Sequence, residues 1–511
     1  MRKRILTAML LAVATCFAVS CQKDEDVIDA LDNMRLSKFT GSIEQPGADA
    51  KTTLDGNSVQ WVSGDEVAIN GKTYTAIPNS DPTTTKFGLP EGESDVDLVD
   101  GYYTAYYPAS LLVGDQPTLP AVQNYEAGRI SNLPMYAKSD NTTLAFHNIC
   151  GVMELTLKGS KKVSGIVVSS ESAALNGAFS VNSDNVAVIN DAPSYANKTV
   201  TLNCESDVQL NGTGVKFWIA LPAGSHKLTL SVYAEDGTYC DKMTTGNVTI
   251  AANKIYSFDW QPEFSMRREL SGPFAGNNRT IRFAMGNVIG ELGARDYAFH
   301  AHQYDRYLNG GENFEYERGE ECDMFSRVSV DENLDGSCNG RILDYFNDGG
   351  GQWLLPSEED MTNIIGTTRS GSTVNGLVNC RFAKVSINTG SETVPGIMLC
   401  PDDATIIGAE ISGWNETAVG YTNATTLSKV QWSVYERSGC VFLPYRLYSY
   451  VPGYQTSGTD INYWLTGEVI QWTNYPAFGY EGTGYRPRGI TLSSGGDTEC
   501  FYVRLIQVDN N

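Results

Sequence analysis

Between residues 36 and 262 the apolar positions fall into short runs separated by turn residues, and helical spacing is almost absent. Residues 59–62 (Val-Gln-Trp-Val) lead into a turn at Gly64-Asp65 and a second run at 66–70. Gly151–Leu157 alternates in its second half, as a half-buried strand does. Val215–Leu221 stops at Pro222-Ala223-Gly224, a turn. Over 226–234 the alternation returns with Leu228, Leu230 and Val232 on one face, and Asp236-Gly237 signals a hairpin. A run at 254–258 closes the series. Short strands with regular turns predict a mainly β fold, with two β-sandwiches in tandem over 36–158 and 159–265.

After Met266-Arg267-Arg268 the pattern changes to a Gly- and aromatic-rich region, read as one α+β unit over 266–511. Two helices stand out. The first is expected over 357–365, where Ser357 can cap, Asp360 stands at the capping-box position, and Met361, Ile364 and Ile365 share a face. The second is expected over 427–438, with Leu427, Val430 and Val434 on one face and Gly439 as its stop. Strands follow at 440–444 and, last, at 501–506.

The order of these segments carries a resemblance. Trp61-x-x-Gly64-Asp65, the stretch 146–157, Phe217-Trp218-Ile219-Ala220-Leu221-Pro222-Ala223-Gly224 and Lys254-Ile255-Tyr256-Ser257-Phe258 resemble the fimbrillin-like proteins of Bacteroidetes. The resemblance covers roughly 36–262. It implies two transthyretin-like β-sandwich subdomains and membership among fimbrial subunits or free surface lipoproteins. It also implies assembly by strand exchange: a protease removes the first strand, and a neighbour's C-terminal segment fills the groove. Here 36–44 looks like the removable strand. Relatives often carry arginine before the next segment, whereas this chain has Lys51 ahead of Thr52-Thr53, which departs from arginine-specific processing. Arg35 is read as lying upstream of the strand.

Trp353-x-Leu355-Pro356-Ser357-x-x-Asp360, Val441-Phe442-Leu443-Pro444, Val503-Arg504-Leu505, Ile281-Arg282-Phe283-Ala284-x-Gly286-Asn287 and Gln303-Tyr304-Asp305 resemble the C-type lectin-like fold, in the variant shared with formylglycine-generating enzymes. That likeness covers roughly 270–509. It implies that the late loops bind ligand. Cys380, Cys400, Cys440 and Cys500 reproduce no catalytic pair of the enzymes, so their chemistry is not carried over. A subunit whose C-terminus runs into such a unit accepts a strand without donating one, which places it at a filament tip.

The N-terminal end sets the expected compartment. Arg2, Lys3 and Arg4 precede an apolar run over 5–19, the form of a secretory signal peptide over 1–20. Ala18-Val19-Ser20-Cys21 looks like a lipobox that makes Cys21 the lipidated residue, and Gln22-Lys23-Asp24-Glu25-Asp26 resembles a surface-export signal opening an acidic tether over 21–35. The expected location is the cell surface, as an outer-membrane lipoprotein or in a fimbrium. The net charge is −23 at pH 7, and removing 1–20 takes away Arg2, Lys3 and Arg4 but no acidic residue. Nucleic acid and anionic membrane surfaces are therefore poor partners.

Candidate chemistry is sparse. The four histidines, His147, His226, His300 and His302, lie near no nucleophile elbow. His300-x-His302 puts two imidazoles on one face if it is a strand, but without a third metal ligand. Asp331-x-Asn333-x-Asp335-Gly336 opens like a calcium loop, although position twelve is Ile342 instead of glutamate, with Asp344 as a substitute. Structural calcium is thus the one cofactor candidate. Cys322 and Cys338 close the shortest cysteine loop and are the favoured bridge, with buried thiols as the alternative. The densest feature is aromatic. Tyr445, Tyr448, Tyr450, Tyr454, Tyr463, Tyr475, Tyr480 and Tyr485 stand in one stretch with Trp464, Trp472, Asn474, Phe478 and Arg486, spaced by small polar residues. Such composition suits a contact surface, because rigid rings give area at low entropy cost. About half of these rings are expected to be structural, Trp464 and Trp472 first. Tyr448, Tyr450, Tyr454, Tyr475, Tyr480, Tyr485, Asn474 and Arg486 are the candidate ligand contacts. The sequence thus reads as a fimbrial tip adhesin for a glycan or protein, with a free-standing binding lipoprotein as the alternative and no enzymatic role.

Overall fold

The computed structural model describes residues 34–45, 59–128, 133–265, 267–291, 297–306, 321–322, 324–326, 342–348, 352–365, 373–406, 411, 413–415, 424–451, 454–464, 469–472, 490–493 and 500–509. The chain is mainly β, with short strands throughout and few helices among those residues.

Seven strands of the first unit form a ladder that returns to its start. The order is Met34–Ile43, Thr143–Asn148, Met135–Ser139, Tyr103–Tyr107, Glu66–Ile69, Lys72–Pro78 and Thr84–Pro90. The pattern predicts a sandwich here, and the ladder instead closes into a barrel. The cause is the leading strand, Met34–Ile43, which pairs parallel to Thr143–Asn148 on one edge and antiparallel to Thr84–Pro90 on the other. Its register breaks between Leu36 and Thr40, and such irregularities bend a strand and sharpen its twist. Phe39, Trp61, Phe87 and Phe146 fill the barrel, with Trp61 edge-on to Phe87, Tyr107 and Phe146. Residues 59–62 are not a strand, contrary to expectation: Trp61 is pinned by its N–H to the Pro82 carbonyl (2.8 Å) and by its buried ring. The Asp65 carboxylate accepts the Val62 N–H at 2.8 Å and shapes the turn that follows.

The second unit packs the sheet Val215–Leu221, Gly151–Leu157, Ile255–Trp260 against the sheet Tyr239–Met243, Leu228–Ala234, Lys162–Ser170, Thr199–Gln209, Val122–Asn124. Gly151–Leu157, read as part of the first unit, pairs with Val215–Leu221 and Ile255–Trp260 and so belongs to the second. A segment of the first unit also crosses over. Gln116–Leu119 pairs with Gly177–Val181, and Val122–Asn124 runs parallel to Thr199–Gln209. Leu111, Leu119, Ile149, Phe179 and Trp218 form one core beneath this crossing.

In the third unit Phe382–Asn388 and Thr393–Leu399 pair with Thr425–Ser428 and Val441–Pro444. The helix Lys429–Arg437 starts later than expected. Leu427 remains in a strand, and Ser428 caps the helix, its Oγ accepting the Gln431 N–H while Gln431 Oε1 accepts the Ser428 N–H. This helix docks on the outer face of the second unit. Val430 and Val434 pack on Val167 and Tyr233, Lys429 pairs with Asp207 at 2.7 Å, and Arg437 grips Asp241 while lying over the Tyr239 ring at 4.1 Å. The docking explains why Lys162–Ser170 is buried on both faces. Gly165 makes room for it, since a Cβ there would lie 2.7 Å from the Leu202 carbonyl and 2.8 Å from Val430. Gly165→Ala is expected to cost about 1–3 kcal/mol through this overpacking. Hydrogen exchange should then rise along the helix while the first barrel keeps its protection.

The helix Glu358–Ile365 matches its expected capping box. Ser357 Oγ accepts the Asp360 N–H at 3.1 Å, and the Asp360 carboxylate accepts the Ser357 N–H at 3.0 Å. Asp360 is fully buried and also receives the Asn277 N–H (2.8 Å) and the Arg279 guanidinium. Burial alone would raise this carboxyl, but the hydrogen bonds from Arg279, Ser357 and Asn277 outweigh it and hold it below its ordinary value of 3.8. A depressed folded value means that the stabilisation is complete above the ordinary value and is lost as pH falls through the folded one. Asp360→Asn is expected to destabilise this unit by about 3 kcal/mol. Its melting temperature should also become less sensitive to acid below about pH 5.

Candidate functional site

The leading strand closes the first barrel, paired on both of its edges. Its second half alternates inward and outward, with Phe39, Gly41 and Ile43 buried and Lys38 and Thr40 exposed. Phe39 stands edge-on to Tyr74 and Tyr103, at 5.3 Å and 4.8 Å between ring centroids. Gly41 is required by close approach, because a Cβ there would lie 2.9 Å from the Phe87 ring. The strand therefore presents large, small, large to the barrel at alternate positions. Arg35 lies inside the strand, not upstream of it, and binds Asp95 at 3.2 Å and the Glu93 carbonyl at 2.7 Å. Cleavage after Arg35 would still leave residues 36–43 in place. Past the strand, Glu44 meets His147 at 3.0 Å, and Gln45 exchanges hydrogen bonds with the Val59 backbone at 3.0 and 3.1 Å. Lys51 lies outside the described residues, as does Cys21.

The second unit carries an apolar cleft of about 330 Å³ that sequence reading missed. It opens between the edge strands Tyr239–Met243 and Ile255–Trp260, with Met153, Leu155, Leu228, Leu230, Met243 and Phe258 in its wall. Met243 is 61% exposed and Phe258 40% exposed. The only sequence signal is that these edge strands carry apolar residues on their outer positions.

In the third unit an early strand pairs with the last one. Thr280–Phe283 pairs with Ile506–Val508, and Arg282 holds Asp509 at 2.9 and 3.1 Å. The expected strand 501–506 is broken at Val503-Arg504-Leu505, between Cys500–Tyr502 and Ile506–Val508. The cause is Arg504, whose guanidinium turns into the core at 2% exposure. It donates to Asn287 Oδ1 (2.8 Å), the Ala284 carbonyl (3.0 Å), Gln303 Oε1 (3.3 Å) and the Phe442 carbonyl (2.8 Å). Gln303 Nε2 continues the network to Glu436 (3.1 Å), which also accepts from Arg267 (2.8 Å). Burial pulls the Arg504 value below its ordinary range. Four of the resembling segments thus converge on one buried polar hub.

The aromatic stretch divides. Tyr445 and Tyr463 are core residues, and the Tyr463 hydroxyl accepts from Asn287 Nδ2 at 3.1 Å. Tyr448, Tyr450 and Tyr454 are placed by backbone only, in a hairpin of Arg446–Val451 and Tyr454–Trp464 that sets Tyr448 opposite Ser457 and Tyr450 opposite Gln455. Asn474, Tyr475, Tyr480, Tyr485 and Arg486 lie outside the described residues, and so do Asp331, Asn333, Asp335 and Cys338. Cys322 is placed in the short strand Glu321–Cys322 by its backbone. Ile342, at position twelve of the candidate calcium loop, opens the helix Ile342–Asn347 and is buried in a core, and Asp344 lies in the same helix. His300 and His302 share no strand face, since the strand Tyr297–Phe299 ends before them. His302 instead stacks on Tyr304 at 4.9 Å and 3°. Among the described residues no three His, Cys, Asp or Glu side chains gather as metal ligands.

No protein-family model matches the chain, and no curated protein sequence matches it. Among solved structures, a candidate cell adhesion protein from Bacteroides ovatus is 17% identical, with a TM-score of 0.29 over 45% of this chain and 95% of that one. A fimbrial protein from the same species is 10% identical, with a TM-score of 0.21 over 51% of this chain and 66% of that one. The tip fimbrial protein of Porphyromonas gingivalis, with a C-terminal truncation, is 8% identical, with a TM-score of 0.20 over 40% of this chain and 93% of that one. At such scores any functional reading rests on the residues of this chain.

Proposed function

We propose that the protein is a cell-surface adhesin that joins a fimbrium by strand exchange at its first barrel and presents its C-terminal lectin-like unit as the binding end. The observation that carries this is the double pairing of Met34–Ile43, a strand held by one backbone ladder on each edge and anchored by Phe39 and Ile43. A strand held mainly by backbone hydrogen bonds can be replaced by another with the same alternation. The acceptable donor reads large, small, large at alternate positions, because the barrel leaves no room for a side chain at Gly41. The strand Ile506–Val508 is committed to its own unit by the pairing with Thr280–Phe283 and the ion pair of Arg282 and Asp509. The chain accordingly accepts a strand and retains its own, as a tip subunit does. The fold is read as two transthyretin-like subdomains followed by a C-type lectin-like unit, with Cys21 as the lipid anchor before processing. Ligand contact falls to the late aromatic segment, Tyr448, Tyr450, Tyr454, Tyr475, Tyr480 and Tyr485 with Asn474 and Arg486, facing a glycan or protein.

A second reading is favoured by one residue. Lys51 stands where arginine-specific processing needs arginine, so the strand can remain in place and the protein can act as a solitary binding lipoprotein. Immunogold labelling with an antibody to residues 270–511 separates the two. Gold at the ends of thin filaments is the expected result, and gold scattered over the outer membrane without filaments sinks the tip assignment.

A further inference from the structure

Three cysteines of the third unit share one core. Cys380, Cys400 and Cys440 are 3%, 1% and 0% exposed and stand as thiols. Thr393–Leu399 and Val441–Pro444 are antiparallel with Leu399 opposite Val441, so the next step of the register sets Cys400 opposite Cys440. Their backbones do not bond to each other. The Cys400 N–H goes to the Arg381 carbonyl (2.7 Å), the Cys440 N–H goes to the Tyr435 carbonyl (3.1 Å), and the Cys440 carbonyl accepts from Gln303 Nε2 (3.1 Å). They therefore form a non-hydrogen-bonded pair, the type in which side chains approach closest, with Cα atoms about 4.5 Å apart. That spacing falls within the range that a disulfide spans. Both side chains join the core that holds Met398 and Phe442, the pair two steps along the same ladder. The two thiols already touch through a hydrogen bond.

We infer that Cys400 and Cys440 are joined by a disulfide in the exported protein, fastening the exit of the docking helix to the central sheet. Each thiol loses its proton, one S–S bond forms, and two electrons pass to an oxidant of the disulfide class, such as a thiol–disulfide oxidoreductase, which leaves as two thiols. Cys380 remains a thiol. It lies beside Arg381, the residue facing Cys400 on the neighbouring strand, and is thus a diagonal neighbour. Burial pushes the Cys440 thiol well up, leaving little thiolate once the core closes. Both side chains are closed to solvent in the folded protein, so the bond forms during folding, before this core closes. The inference rests on the export expected from residues 1–26.

The test uses the full chain in two arms. In the first, protein from cells expressing the natural leader is blocked with N-ethylmaleimide and digested without reduction, and its peptides are identified by mass spectrometry. In the second, the reduced and unfolded chain is refolded in a glutathione redox buffer and treated in the same way. The expected result in both is one cross-linked peptide pair joining Cys400 to Cys440, abolished by reduction. The oxidised protein should also melt roughly 5–10 °C above the reduced one. That difference should vanish in Cys400→Ala/Cys440→Ala and persist in Cys380→Ala. Recovery of both residues as blocked thiols in both arms, or a bond involving Cys380, overturns the assignment. A bond in the refolding arm alone overturns it for the cellular protein and shows that the export reading is the part that failed.

Discussion

A chain lacking residues 1–45 is expected to have an open first barrel, and a peptide spanning 34–45 should close it again. The deletion removes Phe39 and Ile43 from the core and strips the ladders from both Thr84–Pro90 and Thr143–Asn148. The loss should reach about 5 kcal/mol or more, because one buried aromatic ring alone is worth about 3–5 kcal/mol. It should appear as a lower first melting transition and as new binding of a hydrophobic dye. The wild-type peptide should reverse both effects. A peptide carrying Phe39→Ala should bind roughly 100- to 1,000-fold more weakly or worse. One carrying Gly41→Val should fail to bind, since its side chain would strike Phe87 and Phe146. If the deleted chain keeps its transition, or accepts all peptides alike, strand exchange at this barrel is excluded.

Arg504→Met is expected to unfold the third unit selectively. The substitution takes the guanidinium donor from the carbonyls of Ala284 and Phe442 and from Asn287 Oδ1, in a region closed to water, and leaves Gln303 Oε1 with only the Phe442 N–H. Buried acceptors stripped of a charged donor cost about 3–5 kcal/mol in total. Arg504→Lys should recover only part of this, because an ammonium cannot span acceptors spread around a planar fork. Denaturant unfolding followed by hydrogen exchange assigns the loss. Protection should collapse around Gln303, Phe442 and Tyr463 and persist in the first barrel. An unchanged midpoint would show that the hub is dispensable.

Much of this architecture was legible in the alternation of apolar residues. Leu228, Leu230 and Val232 share the core as the pattern predicts, and Ser357 and Asp360 cap each other as their spacing implies. Partner choice was not legible. Nothing local in Met34–Ile43 says that it pairs on both edges, or that Gly151–Leu157 bonds to later strands instead of earlier ones, because pairing is decided by residues far along the chain. The Arg504 break was hidden for a related reason. Phe501 to Ile506 reads as a plain strand, and only the four inward acceptors explain why the backbone leaves the sheet there. The short apolar run Ile166-Val167-Val168 did carry a signal, burial on both faces, but which element covers the second face depended on a helix in another unit. At the candidate site, Tyr445 and Tyr463 belong to the core as part of the aromatic stretch was expected to. The Cys400 and Cys440 juxtaposition arises from sheet register, which cysteine spacing does not reveal.

The crossing segment between Leu112 and Asn124 has a mechanical consequence. Tension along the chain cannot part the first two units by opening a hinge, because strands of one are stitched into the sheets of the other. Val122–Asn124 runs parallel to its partner, so pulling loads its hydrogen bonds together, in shear, instead of peeling them one at a time. The two units therefore yield to force as a single body, and a protein tethered at one end against flow would lengthen elsewhere first.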